Sequence, residues 1–328
     1  MIYCVCDFCC GKKWLLLAPV FLFLLGLPVL SMAADAPADT ESKLGLAPAG
    51  TLSPEWKPLL DATLSNWELW MGVPHKTVTG LPPGTPVSED GHEGTPLGLN
   101  NDPLHVFTIQ TDSGEPVLHI TGQIFGGLTT LNSYSNYHFR CQVRWGQLKW
   151  EPKLKEKRDS GILYHCTGPH GAFWKVWKRC LEFQVQEADM GDLYCLSGTN
   201  ADATVQHHDP KDPGNRSYDP AGTLEKVGGL PHLRGSFEVP NGEWNTLELY
   251  TLGQTSVAVV NGHVDMVLRN TMANIGNNRW VPLSSGQIQL QSEGAEIEYR
   301  RVEIQALKEY PPEIQAISKF TPAELAAH

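Results

Sequence analysis

Residues 159–198 read DSGILYHCTGPHGAFWKVWKRCLEFQVQEADMGDLYCLSG. Side chains alternate across a pleated strand, so Leu181, Phe183 and Val185 share one face and Glu182, Gln184 and Gln186 share the other. One apolar face and one carboxylate/amide face describe a strand that covers a core and lines a polar groove. The whole stretch reads as strand, aromatic loop, strand, turn, strand.

The same signal recurs outward along the chain. Short strands are predicted at His105–Gln110, Pro116–Thr121 and Gln123–Leu128, and a long one at Tyr137–Trp145, where Tyr137, Phe139, Cys141, Val143 and Trp145 alternate with His138, Arg140, Gln142 and Arg144. Trp244–Leu252, Ser256–Val260 and His263–Leu268 form a meander with the hairpin dipeptide Asn261-Gly262 between its last two strands. Gly286–Gln291 and Ala295–Leu307 close the set, the last broken at Arg300-Arg301 by a bulge or an edge. Helical periodicity is confined to the C-terminal tail, at Pro322–Ala327. Many short strands in a chain with 31 Gly and 24 Pro predict an all-β fold, an antiparallel two-sheet jelly-roll sandwich. Met71–Asn101 and Gly198–Gly235 read as surface loops, and the basic stretch Trp150–Arg158 as a solvated hairpin tip.

Lys12 and Lys13 precede the uncharged apolar run Trp14–Leu30, which ends in Ser31-Met32-Ala33-Ala34. This describes a secretory signal over residues 1–33, cleaved after Ala33, and a secreted or periplasmic protein without stable membrane insertion. Residues 34–54 read as a flexible linker, 55–308 as the folded domain and 309–328 as a tail. A formal net charge of −11 argues against nucleic acid as a partner. Cys141, Cys166, Cys180 and Cys195 lack any CxxC spacing, so free thiols and disulfides both stay open, and structural zinc is disfavoured.

Two polar rows carry the candidate chemistry: Glu182, Gln184 and Gln186, with Glu187 on the opposite parity, and Gln289, Gln291 and Glu293 in GQIQLQSEG. If the two strands are neighbours, both rows line one groove; the bland alternative is a solvent-facing sheet surface. Only Glu182 is a carboxylate on its face, whereas conventional glycosidases need a pair about 5–9.5 Å apart. Parity places His165 beside Leu163, opposite Ile162 and Tyr164, and a histidine there is suited to proton transfer. His170, Phe173, Trp174 and Trp177 form an aromatic loop of the kind that stacks on sugar rings. His207-His208-Asp209 is a weak metal motif, because adjacent side chains on an extended chain point apart.

The runs DSGILYHCTGPHGAFWKVW, LEFQVQEADMGDLY, GEWNTLELYTLGQTSVAVVNGHVD and SGQIQLQSEGAEIEYRRVEI, in that order, resemble the 3-keto-disaccharide hydrolase domain family, which includes 3-keto-glucoside 1,2-lyases and 3-keto-2-hydroxyglucal hydratases. The resemblance spans roughly Trp56–Leu307. It implies a concanavalin-like fold of the lectin and glucanase type, and cleavage of glycosides that carry a ketone at C3. A C3 ketone acidifies the C2 proton, so a single base suffices: it removes that proton, the C1 substituent leaves, and water adds to the enone. Glu182 and Gln184 match the family's Glu-x-Gln strand. His165 stands where many members carry Arg, which leaves its role open between base, metal ligand and oxyanion donor. The expected catalytic residues are Glu182 and His165; the expected substrate-binding residues are Gln184, Gln186, Gln291, Glu293, His170, Trp174 and Trp177. No cofactor is evident, and a divalent metal stays open. The partner implied is an oligosaccharide or glycoside. A non-catalytic carbohydrate-binding module and a conventional glycoside hydrolase are the alternatives.

Overall fold

A computed structural model describes residues 44–231 and 235–326. The expected signal segment and residues 34–43 of the expected linker lie outside the described residues. Two antiparallel sheets face each other as a jelly-roll sandwich. The larger runs, in spatial order, Asp212–Tyr218, Thr199–Asp209, His263–Asn274, Thr255–Val260, Asn245–Leu252, Tyr137–Lys149, Ala295–Ala306, Glu115–Ile120 and Phe107–Asp112. The smaller runs Gly229–Leu230, Leu193–Leu196, Arg179–Gln186, Asp159–Thr167, Ser285–Ser292, Gly126–Thr130, Trp67–Met71 and Gly98–Leu99. The strands holding the two polar rows are therefore separated by one strand, Asp159–Thr167, rather than adjacent.

Alternation places the core between the sheets. Phe139, Cys141, Val143 and Trp145 from the larger sheet bury against Ile162, Leu181, Phe183, Val185, Ile288 and Leu290 from the smaller. Each such side chain contributes about 1.5–3 kcal/mol on burial. Two hydrogen bonds tie the sheets through the apolar layer, Ser160 Oγ to Tyr299 Oη at 2.8 Å and Tyr164 Oη to Ser256 Oγ at 2.9 Å. On the outer face, Arg140 pairs with Glu303 and Arg144 with Glu298, as the polar parity of the long strand requires.

Several expectations are corrected. The Gly198–Gly235 segment is not a surface loop. It contributes Thr199–Asp209, Asp212–Tyr218 and Thr223–Val227 to the larger sheet; its Asp, Asn and Gly content disfavours strands, and pairing with His263–Asn274 overrides that preference. The described part of the linker is not loose: Leu44 is buried, and backbone bonds join Gly50 to Ser133 and Ser53 to Ala306. A helix at Pro312–Ser318 precedes the expected one, which spans Pro322–Ala326. The break at Arg300-Arg301 is a bulge, with Arg301 at φ 50° and a register shift before Glu303. Among the described residues, no helix is long and apolar enough to cross a membrane, and all four cysteines are free.

Candidate active site

Register across the smaller sheet assembles the site, because directly opposed residues of antiparallel strands point to the same face. Glu182 lies opposite Leu163 on one side and Tyr194 on the other. Gln184 lies opposite Gly161, and Gln186 opposite Asp159. From the next strand, Gln289 faces Leu163, which places Gln291 beside Gly161. The polar rows thus meet across the missing side chain of Gly161. A Cβ at that position would stand 2.2 Å from Glu182 Oε1 and 2.7 Å from Gln291 Oε1, so both side chains occupy the space a larger residue would need. Gly161→Ala is expected to lower stability by about 1–3 kcal/mol, as overpacking does, and to displace the Glu182 carboxyl; thermal melts and activity report the two effects separately.

The third tier holds the charge. Lys153 Nζ bridges Asp159 Oδ2 at 2.5 Å and Glu293 Oε1 at 2.6 Å, and Gln186 Nε2 donates to Asp159 Oδ2 at 2.9 Å. Lys153 comes from the 150–158 loop, which is therefore no solvated tip. Its basic side chains reach back to carboxylates, with Arg158 on Glu187 and Lys157 on Asp189. Burial opposes the charge of Lys153, but the carboxylates of Glu293 and Asp159 outweigh it and raise its pKa. Glu187, whose parity would have carried it to the core face, lies one residue past the end of the strand and pairs with Arg158 instead.

Burial, reinforced by Glu293 and Asp159, raises the Glu182 pKa well above the usual carboxylate range. The Oε1 of Gln291 is buried without a hydrogen-bond partner. Glu293 is likewise raised by burial and by Asp159, to about 8. A carboxyl whose folded pKa lies above its unfolded value stabilises the fold fully below the unfolded value, and that stabilisation is lost as pH rises through the folded one. The melting temperature is therefore expected to fall between pH 5 and 8.5 by more than about 2–4 °C, equivalent to about 1 kcal/mol. Glu293→Gln should flatten this profile; an unchanged slope would remove Glu293 as its source.

His165 is not brought to this face. The Asp159–Thr167 strand carries an extra residue, with register shifts against both neighbours around 164–166. His165 sits there at φ 50°. The bulge turns its ring into the core, edge-on to Tyr137 and Tyr164, where it is 1% exposed. Burial pushes its pKa down to about 3. A histidine held neutral in the core is corrected from catalytic to structural.

The aromatic loop is also redistributed. Trp177, 1% exposed, packs with Phe125, Leu163, Cys166 and Cys180 and donates Nε1–H to the Gly126 carbonyl, so it plugs the sheet face and offers no sugar platform. Trp174 is 44% exposed and stacks on His92 at 4.8 Å. His170 bonds Glu68 at 2.9 Å and lies flat on Trp70, away from Glu182. Burial, with the nearby Lys178 ammonium, lowers its pKa. Lys178 itself is buried, donating to the Gly168 carbonyl at 2.6 Å. His207 and His208 diverge to Glu225 and Ser217. Among the described residues, no group of three or more His, Cys, Asp or Glu is arranged to hold a metal ion; the cation between Asp159 and Glu293 is the Lys153 ammonium. A cavity of about 890 Å³ lined by residues 46–50, 52, 133–136, 285, 306 and 307 carries no acid, histidine, lysine or arginine.

Residues 55–305 match the model of the 3-keto-alpha-glucoside-1,2-lyase-like domain. The chain belongs to that family. Membership makes this a carbohydrate-active jelly-roll domain. Within the 3-keto-alpha-glucoside-1,2-lyase-like domain, Glu182, Gln184, Gln291 and Glu293 come from two strands brought together across Gly161. A search of curated proteins found no match. Solved structures with a similar fold include a candidate glycosyl hydrolase from Parabacteroides distasonis, at 18% identity over 77% of this chain and 100% of the other, TM-score 0.42. A Bacillus subtilis protein of unknown function with a galectin-like fold aligns at 11% identity over 79% and 98%, TM-score 0.38. The Bacillus licheniformis beta-glucanase aligns at 11% identity over 79% and 100%, TM-score 0.37.

Proposed function

We propose that this domain, exported on the strength of residues 1–33, cleaves glycosides bearing a ketone at C3. Glu182 removes the C2 proton, the electron pair forms the C1–C2 double bond, and the C1–oxygen bond breaks to release the aglycone. Addition of water across the enone completes a net hydrolysis. The observation that carries this reading is the convergence of Glu182 and Gln291 over Gly161: one buried carboxyl of raised pKa, flanked by amides. A base of raised pKa is a stronger proton acceptor once ionised, and a carbon acid next to a ketone requires one. Lys153 supplies the adjacent positive charge for an enolate oxygen. The Gln184 Oε1 accepts the backbone N–H of Val185 at 2.9 Å, which leaves its NH₂ to hold a sugar hydroxyl.

The presence of Asp159 and Glu293 near Glu182 supports a second reading, a conventional glycoside hydrolase. Both of those carboxylates are committed to Lys153, which disfavours it. Incubating the purified protein with methyl α-glucoside oxidised at C3, and separately with the unoxidised sugar, tests the proposal. Release of methanol from the oxidised sugar alone, with solvent exchange at C2, is expected. Cleavage of the unoxidised sugar would replace the proposal with the hydrolase, and binding of either sugar without cleavage would replace it with a binding module.

A further inference from the structure

We infer that Tyr194, rather than Trp174 or Trp177, is the surface on which the substrate's pyranose ring lies. The inference rests on the Glu182 site proposed above and assigns its aromatic contact. Tyr194 is opposed directly to Glu182 in the antiparallel register, which places the two side chains on one face with Cβ atoms about 4.5–5.5 Å apart. It is 46% exposed, whereas Glu182 beside it, and Gln184, Gln291 and Glu293 farther along the sheet, are all buried. Its outer neighbour in the sheet is Gly229, which has no side chain to cover the ring. Trp177 is consumed by the plug, and Trp174 stacks with Phe173 and His92 on the loop side of that plug. Tyr194 therefore combines an open ring with adjacency to the carboxyl. An amphipathic ring of this kind packs against the C–H face of a neutral sugar while its hydroxyl stays in water.

Tyr194 is at a half-exposed sheet position, so its truncation leaves the core intact; thermal melts of the variants check this. The measurements are KM and kcat on methyl α-glucoside oxidised at C3, and calorimetric binding of the unoxidised glucoside. Tyr194→Ala is expected to raise KM and weaken binding by about tenfold, a difference of about 1.4 kcal/mol, with kcat within about threefold. Tyr194→Phe, which keeps the ring, should stay within about threefold of the native protein in all three, as should Trp174→Ala. An unchanged KM in Tyr194→Ala overturns the inference. So does a loss confined to kcat, or an equal loss in Tyr194→Phe, which would assign the effect to the hydroxyl. If the native protein binds the glucoside in a Tyr194-dependent manner but cleaves neither sugar, the platform stands and the proposed reaction falls.

Discussion

Glu182→Gln is expected to lower kcat on a 3-keto-glucoside by about 10²–10⁴-fold, the range associated with loss of a positioned proton-transfer group, while the melting temperature holds or rises. The two outcomes have one cause. Burial and the neighbouring Glu293 and Asp159 favour the neutral form of the Glu182 carboxyl, so an uncharged amide of the same size replaces it at little cost to packing. Catalysis, by contrast, needs the ionised form, and an amide has none. Native activity should accordingly climb with pH as Glu182 ionises, in the same direction in which the Glu293 profile lowers stability. A Glu182→Gln variant that retained near-native kcat would move the base elsewhere on the sheet.

Lys153→Met should produce the largest stability effect of any single change in the 150–158 loop. Removing one partner of a buried pair costs about 3–5 kcal/mol because the other charge is left uncompensated, and here two carboxylates, Asp159 and Glu293, lose the same ammonium. The loss depends on pH. Near pH 3, below the unfolded values of both groups, the carboxyls are largely neutral in folded and unfolded chains alike, so the variant should melt close to the native protein. As pH rises toward 8 the unfolded chain ionises freely, the folded site resists, and the gap widens to its full size. Denaturant titrations at the two pH values measure this directly. Equal gaps at both would mean that Lys153 contributes packing rather than charge. Activity should fall with the same substitution, because the site loses its nearest cation.

Most of the sandwich was legible because its signal is local. The alternation of Tyr137–Trp145 and of Leu181–Gln186 is a property of consecutive residues, and both strands stand where that alternation places them. What failed to read was set by distant partners. Thr199–Asp209 and Asp212–Tyr218 lack strand-forming composition; the first exists because His263–Asn274 offers an edge to pair with, and the second because the first then offers another. Lys153 resembled a surface lysine because nothing in its own loop announces that Asp159 and Glu293 lie beneath it. Tyr194 carries no pattern at all in a strand of four residues; only its register with Glu182 gives it meaning. His165 was misplaced for the opposite reason. The alternation rule was applied through a bulge, where it does not hold. Of the residues expected at the site, Glu182, Gln184, Gln186, Gln291 and Glu293 came together, whereas His165, His170, Trp174 and Trp177 went elsewhere.

That bulge has a mechanical meaning. By inserting one residue it acts as a phase shifter within a single strand. Before it, Asp159, Gly161 and Leu163 keep step with the acid row; after it, Cys166 rejoins the outer face and anchors the aromatic plug. The extra residue lets Leu163 and Cys166, three positions apart, lie on one face, so a single strand serves both the acid row and the plug. Deleting His165 would leave plain alternation from Leu163 through Tyr164 to Cys166, so Cys166 should stay on the outer face, with the plug and the acid row both keeping their places and only the buried imidazole lost.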